Sequence, residues 1–300
     1  MKKKTYLFTL MAMALTLGSC SDNENGIGGE TSKYITVSTS IGNMTRVATD
    51  EKGGQTFEEG DEISVYAWTG DATVAPETRE RVVNNAINKL TNGSWVSTPQ
   101  MLWKNNRDKH YFIGVYPISA ISDLSAGEYT FDVNKQTESD LLVAVNKDGL
   151  SYNVDEQQPV PLTFTHVMAK LVVNLTYKNQ WGGIPTVEKV VVGNAAKEAT
   201  INYLTKVVTP STTAKEDFSL PEITENTKYV SVIIPQEEVT QLTIVIGGKN
   251  FVYDNGTPFK LESGKITTVN LEVGRDEIKL GDVKITNWED GSTFSGEALN

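Results

Sequence analysis

From Tyr34 onward, apolar residues recur at every second position in short runs, and turn residues separate one run from the next. In EISVYA, Ile63, Val65 and Ala67 alternate with Glu62, Ser64 and Tyr66. That period belongs to a strand with one buried face. Comparable runs are YITVSTS, HYFIGVYP, EYTFDV, DLLVAV, PLTFTHVMAKLVVNLTY, VEKVVVG, YVSVIIP, LTIVIGG, NFVYD and KITTVNLEV. The chain is therefore predicted to be all-β. Its 300 residues are well over twice the ~100 that one sandwich holds, so two tandem β-sandwich domains are expected.

One segment reads two ways. In PETRERVVNNAINKL, Val82, Ala86 and Leu90 share a helical face that Val83 and Ile87 widen, whereas VVNNAINKLTNGSW also reads as strand, bend and strand. Three asparagines weigh against helix, and Asn92-Gly93 is hairpin turn chemistry. The extended reading is the better supported. The turn cluster Lys178–Pro185 follows the long run Pro161–Tyr177 and marks a junction near 180. This divides the body into 34–179 and 180–300. The polar interval Thr209–Asp217 reads as a long loop in the second part.

The first residues have a different pattern. Lys2-Lys3-Lys4 precede the apolar stretch Tyr6–Leu17, which falls short of the ~20 residues needed to span a bilayer. Leu17-Gly18-Ser19-Cys20 follows and resembles the lipobox of bacterial lipoproteins. The resemblance implies cleavage before Cys20 and acylation of Cys20. Residues 1–19 are then a signal peptide, and 20–33, rich in Asn, Gly and Ser, a flexible tether. Asp22 and Glu24 resemble the acidic export signal of surface lipoproteins. The expected location is the outer face of the cell outer membrane, held there through Cys20.

The formal charge of the full sequence is −11, and loss of residues 1–19 removes three lysines and no acid. So acidic a surface disfavours nucleic acid as a partner. A single cysteine can form neither an internal disulfide nor a thiolate zinc site. The two histidines, His110 and His166, lie in strand-like runs and read as structural. No GxSxG, P-loop or HExxH motif is present. DNENG at 22–26 lacks the distal glutamate of a calcium loop. The expectation is no enzyme activity, no metal and no cofactor. Trp68, Trp95, Trp103, Trp181 and Trp288 could form a sugar-stacking platform, though tryptophans scattered through β domains more often pack in cores.

Several stretches together resemble the fimbrillin family, the Mfa-like and FimA-like fimbrial subunits of Gram-negative gut and oral anaerobes. They are Thr45-Arg46-Val47, FEEGDEISVY at 57–66, Trp95 and Trp103, and YFIGVYP at 111–117. Further along come DLLVA at 140–144, FTHVMAKL at 164–171, Ser263-Gly264-Lys265 and Ile285-Thr286-Asn287-Trp288. The resemblance implies that the two sandwiches are transthyretin-like and that subunits join by donor-strand exchange. A protease cuts after an arginine early in the first domain, the first strand leaves, and a strand of another subunit fills the groove. Arg46, with Val47 after it, is the candidate cut site. The final segment 277–288, with apolar Ile278, Leu280, Val283 and Ile285, is the candidate donor strand. Gly281-Asp282 interrupts its alternation as a turn or bulge would. The implied partners are other fimbrial subunits and a host or bacterial surface receptor or glycan. The alternative is a surface glycan-binding lipoprotein that feeds a carbohydrate uptake system.

Overall fold

The computed structural model describes residues 33–42, 56–153 and 158–288; Cys20, Arg46, Val47, the signal peptide and all of the tether but Lys33 lie outside them. The first half comprises β1 (Val37–Ile41), β2 (Glu62–Thr69), β3 (Arg81–Thr91), β4 (Ser94–Thr98), β5 (His110–Tyr116), β6 (Gly127–Thr130), β7 (Leu142–Leu150) and β8 (Val160–His166). The second half adds β9 (Ala169–Tyr177), β10 (Val187–Ala196), β11 (Glu198–Asn202), β12 (Val207–Pro210), β13 (Lys215–Ser219) and β14 (Glu222–Thr224). It closes with β15 (Lys228–Ile233), β16 (Gln236–Ile246), β17 (Lys249–Leu261), β18 (Lys265–Val273) and β19 (Ile278–Asn287). Among the described residues, helix is limited to single turns at Thr78–Glu80 and Gln136–Ser139. The chain is nearly all β.

Seven strands form the largest sheet, in the order β1-β8-β7-β5-β2-β3-β4. Its pairs are antiparallel except that β1 runs parallel to β8. A five-stranded sheet runs β14-β15-β9-β18-β19, a four-stranded one β13-β10-β16-β17, and a three-stranded one β12-β11-β6. The last joins the halves, since β6 pairs with β11 from Glu198↔Thr130 to Ile201↔Gly127.

The seven-stranded sheet lies between two apolar cores. Ile63, Val65, Ala67, Phe112, Leu142 and Ala144 fill one; Tyr66, Trp68, Ile113, Val115 and Val143 enter the other. Here the alternation of EISVYA misleads in one respect. Its period is that of a strand, yet Ser64 and Tyr66, on the face that reads as polar, are fully buried. The polar atoms are satisfied locally: Ser119 N–H donates to Ser64 Oγ at 2.9 Å, and Ile121 N–H to the Tyr66 hydroxyl at 2.9 Å. The layer that covers them comes from residues 119–131 and beyond, too distant in sequence to appear in the local pattern.

The segment 76–90 is extended after one helical turn. Asn85 takes φ 55°, and the β2/β3 register shifts beside it, between Val65 and Ala67. The bulge changes which residues face inward, so buried Val83 is followed by buried Ala86 three places on. Asn92 and Gly93, at φ 52° and 73°, close the β3–β4 hairpin as a primed turn requires. The interval 209–217, which reads as a long loop, contributes the end of β12 and the start of β13, with four residues between. Sheet membership changes at Val167-Met168, between β8 and β9. The turn cluster near 180 connects β9 to β10.

Candidate functional site

The sequence points to three places: Cys20, the region of Arg46, and the last strand. Cys20, Arg46 and Val47 lie outside the described residues, but the strand that precedes Arg46 and the terminal strand are both described. Each is an edge strand. β1 has a ladder partner on one side in β8, and β19 has one in β18.

The first site is built from the alternation in ITVSTSI. Ile35 and Val37 turn inward and retain 2% and 6% of their exposure, whereas Thr36, Ser38 and Ser40 face solvent. Lys33–Ile35 pairs first with Met101–Trp103: Ile35 N–H donates to the Met101 carbonyl, and Trp103 N–H to that of Lys33, both at 2.9 Å. The chain then joins β8 in parallel, from Val37↔Val160 to Ile41↔Phe164. Beneath Thr39 and Ile41 the Phe57 ring meets Trp95, Tyr116 and Phe164 edge-on, with centroids 5.3, 5.4 and 5.1 Å away. Gly114 makes room for this box, because a Cβ there would lie 2.6 Å from Phe164 Cζ. The Trp95 indole N–H, from β4 at the sheet's other edge, donates to Thr39 Oγ1 at 3.0 Å. β1 therefore closes a groove whose far wall is β4.

The second site is longer and less enclosed. β19 pairs with β18 along its whole length, and two of its residues at Gly281-Asp282 oppose one step of β18 between Asn270 and Leu271. The interruption in its alternation is thus a bulge. Ile278, Leu280 and Val283 are half-buried against the larger core, while Ile285 is 39% exposed. Trp288, just past the strand, is 7% exposed and stacks on His166 at 4.0 Å with 6° between the ring planes. His166 Nδ1 lies 2.7 Å from Asp140 Oδ1, and an ionised carboxylate can only accept, so the ring nitrogen donates. The Lys170 ammonium sits 5.5 Å from the Trp288 ring centroid. Burial lowers the pKa of Lys170, opposed in part by the charge of Asp140. Trp288 N–H completes the closure by donating to the Gly264 carbonyl at 3.0 Å.

The motifs scattered along the sequence thus converge. Phe57, Trp95, Tyr116 and Phe164 meet under β1; Asp140, His166, Lys170, Gly264 and Trp288 meet at the end of β19. Sequence reasoning named β19 but missed Thr39 and Trp95 as partners and Trp288 as its clasp. The signal present was the alternation that turns Thr39 inward, in line with Ile35 and Val37.

Catalytic chemistry finds no comparable arrangement among the described residues. His110 is fully buried: Lys104 N–H donates to its Nε2 at 3.0 Å, which leaves Nδ1 to donate to the Asp108 carbonyl at 3.0 Å. Desolvation lowers its pKa. An open hollow of about 730 Å³ is lined by Trp68, Val74, Leu102 and Trp103, with Asp71 and Glu80 at its rim. Both acids are engaged in turns. Asp71 accepts the amide and hydroxyl of Thr73, at 2.7 Å each, which lowers its pKa; Glu80 accepts the Glu77 amide at 3.0 Å. None of the five tryptophans is an exposed platform: Trp68 and Trp288 are buried and Trp95, Trp103 and Trp181 half-buried. Among the described residues no cluster of three or more His, Cys, Asp or Glu is placed to hold a metal ion, and no helix is long and apolar enough to cross a membrane.

This arrangement has relatives. A proposed fimbrium subunit of Bacteroides uniformis, Fim1C, is 24% identical over 316 aligned positions covering 97% of each chain. Two solved structures described as proposed cell adhesion proteins share the fold. The one from Bacteroides uniformis has TM-score 0.63 at 20% identity, covering 86% of this chain and 100% of its own. That from Bacteroides ovatus has TM-score 0.62 at 18% identity, covering 85% and 98%. The tip fimbrial protein Mfa3 of Porphyromonas gingivalis, solved with a C-terminal truncation, has TM-score 0.50 at 10% identity, covering 77% and 95%. Residues 45–288, which include both terminal-strand clusters apart from β1 itself, match the fimbrillin-like family, and the chain belongs to that family.

Proposed function

We propose that the chain is a fimbrial subunit, exported as a lipoprotein through Cys20 and joined to other subunits by β-strand addition in the groove that β1 occupies. One observation carries this reading. β1 is an edge strand with inward side chains in a preformed groove, and the chain leaves it directly into the segment that contains Arg46. A cut after Arg46 separates β1 from the rest of the chain, and among the described residues it severs no other strand. Its departure uncovers the β8 edge from Val160 to Phe164 and the pockets of Ile35 and Val37, an acceptor for an incoming alternating strand. β19 of a neighbouring subunit is the candidate donor. We read the body as two tandem transthyretin-like sandwiches and place their division at the change of sheet between β8 and β9. The role is structural and adhesive, without catalysis. The half-buried or buried state of all five tryptophans speaks against the glycan-binding alternative.

Limited trypsin treatment of the mature protein tests this. Cleavage after Arg46 is expected to yield ladders of SDS-resistant oligomers, and Arg46→Ala to remain monomeric. A cleaved protein that stays monomeric at every concentration overturns strand addition for this chain. A Cys20→Ala variant is expected in the soluble fraction, and its retention in membranes overturns the anchor.

A further inference from the structure

We propose that Trp95 is a specificity-determining residue of the β1 groove: it selects a strand with a hydrogen-bond acceptor at the place Thr39 holds. The inference rests on the reading above, in which the groove takes a strand from another subunit.

Of the four inward places from Ile35 to the end of β1, those of Ile35, Val37 and Ile41 are apolar, and any alternating strand can fill them. Apolar pockets alone also leave the register open, because a slip of two residues returns the same face to the core. Thr39 is different. Among the described residues, the Trp95 indole is the side-chain donor that reaches an inward place of β1 from across the groove, at 3.0 Å. Its ring is packed edge-on against Phe57. A strand with a hydrocarbon at this place would lose that bond and leave the half-buried N–H without its partner. The groove therefore specifies apolar, any, apolar, any, then Ser, Thr or Asn. Within this chain, β19 carries that pattern at Val283, Ile285 and Asn287. Ile278 and Leu280 fall out of step with it, because Gly281 adds a residue between the two halves of the strand.

The test uses the full chain cleaved by trypsin, with fluorescent peptides spanning Lys33–Gly42 that compete for the groove. Against the unchanged peptide, one with Thr39→Val is expected to bind about tenfold more weakly and one with Thr39→Asn within about threefold. Trp95→Phe in the protein should abolish the Thr39→Val penalty, an outcome that a merely structural role for Trp95 does not produce. Equal affinities of the unchanged and Thr39→Val peptides for the protein with Trp95 intact overturn the proposal. If no peptide enters, strand exchange fails, and Trp95 is judged in the uncut chain. There Val160 N–H donates to the Thr36 carbonyl at 2.8 Å and reports opening of β1 by hydrogen exchange. Thr39→Val should speed that exchange about tenfold with Trp95 present and not with Trp95→Phe. Additive effects of the two substitutions overturn the proposal independently of assembly.

Discussion

β1 and β19, the first and last strands among the described residues, are both edge strands, held in opposite ways. β1 has five ladder residues and β19 nine, so by backbone hydrogen bonds β19 is the better attached. By side chains the order reverses: Ile35 just before β1 and Val37 within it are buried, whereas within β19 no residue is buried and Ile285 is 39% exposed. Trp288 compensates from just beyond the strand, through its stack on His166. A strand held by pockets accepts any replacement whose side chains fit. One held by a ladder and a single clasp is released when the clasp opens. The first arrangement suits an acceptor site and the second a donor.

Opening the clasp has the largest expected effect. Trp288→Ala removes a buried indole and the cover over His166 and Lys170, and should cost about 3 kcal/mol, the lower end of the range for large aromatic truncations because the site is at an edge. Hydrogen exchange should place the loss in β19 and β18 and leave Val160 protected. Ile35→Ala is the converse, costing about 2 kcal/mol in urea unfolding and raising exchange at Val160 while β19 stays protected. If either substitution loosens both strands equally, they belong to one cooperative unit, and the contrast between pocket and clasp is wrong.

Much of this was legible beforehand, within limits set by physics. Strand periodicity, the Asn92-Gly93 turn and the interruption at Gly281 are local properties, and each appears as the residues suggest. Burial of Tyr66 and Ser64 was hidden because their cover arrives from residues more than 50 positions away. The sheet membership of β9 was hidden for the same reason, since its partners β15 and β18 follow it by dozens of residues. Trp288 meets His166 across more than 100 positions, and no spacing rule links an aromatic to a histidine over such a separation. A resemblance can present both motifs; folding alone brings them into contact.

A smaller effect is expected from acid, on the β1 side. His110 lies under Trp103, with ring centroids 5.0 Å apart, and Trp103 N–H holds the Lys33 carbonyl at the entrance to β1. Lys104 and Asp108 are the charged groups beside the ring, and burial outweighs Asp108 to depress its pKa. A histidine whose folded pKa lies below its unfolded value of about 6.5 takes up a proton on unfolding. Stability is therefore full above that value and falls as pH drops from it towards the lower folded pKa. The slope cannot exceed about 1.4 kcal/mol per pH unit. The protection of Val160, taken as exchange relative to the intrinsic amide rate at each pH, should fall between pH 7 and pH 5, and His110→Gln should flatten this part of the profile. An unchanged slope in that variant excludes His110 as the source.

The smallest effect on the monomer carries the sharpest distinction between the two strands. Ile285 faces the inner side of β19 opposite Thr267, yet it is 39% exposed, so Ile285→Lys should shift stability by less than about 0.5 kcal/mol. In a neighbour's groove the same side chain would take the place of Val37, which is 6% exposed. Burying an unpaired ammonium there is costly enough to block docking. If β19 donates, Ile285→Lys folds normally and abolishes the SDS-resistant ladder after trypsin cleavage. If β19 only completes its own sheet, the ladder persists with Ile285→Lys, and the donor strand must be sought elsewhere.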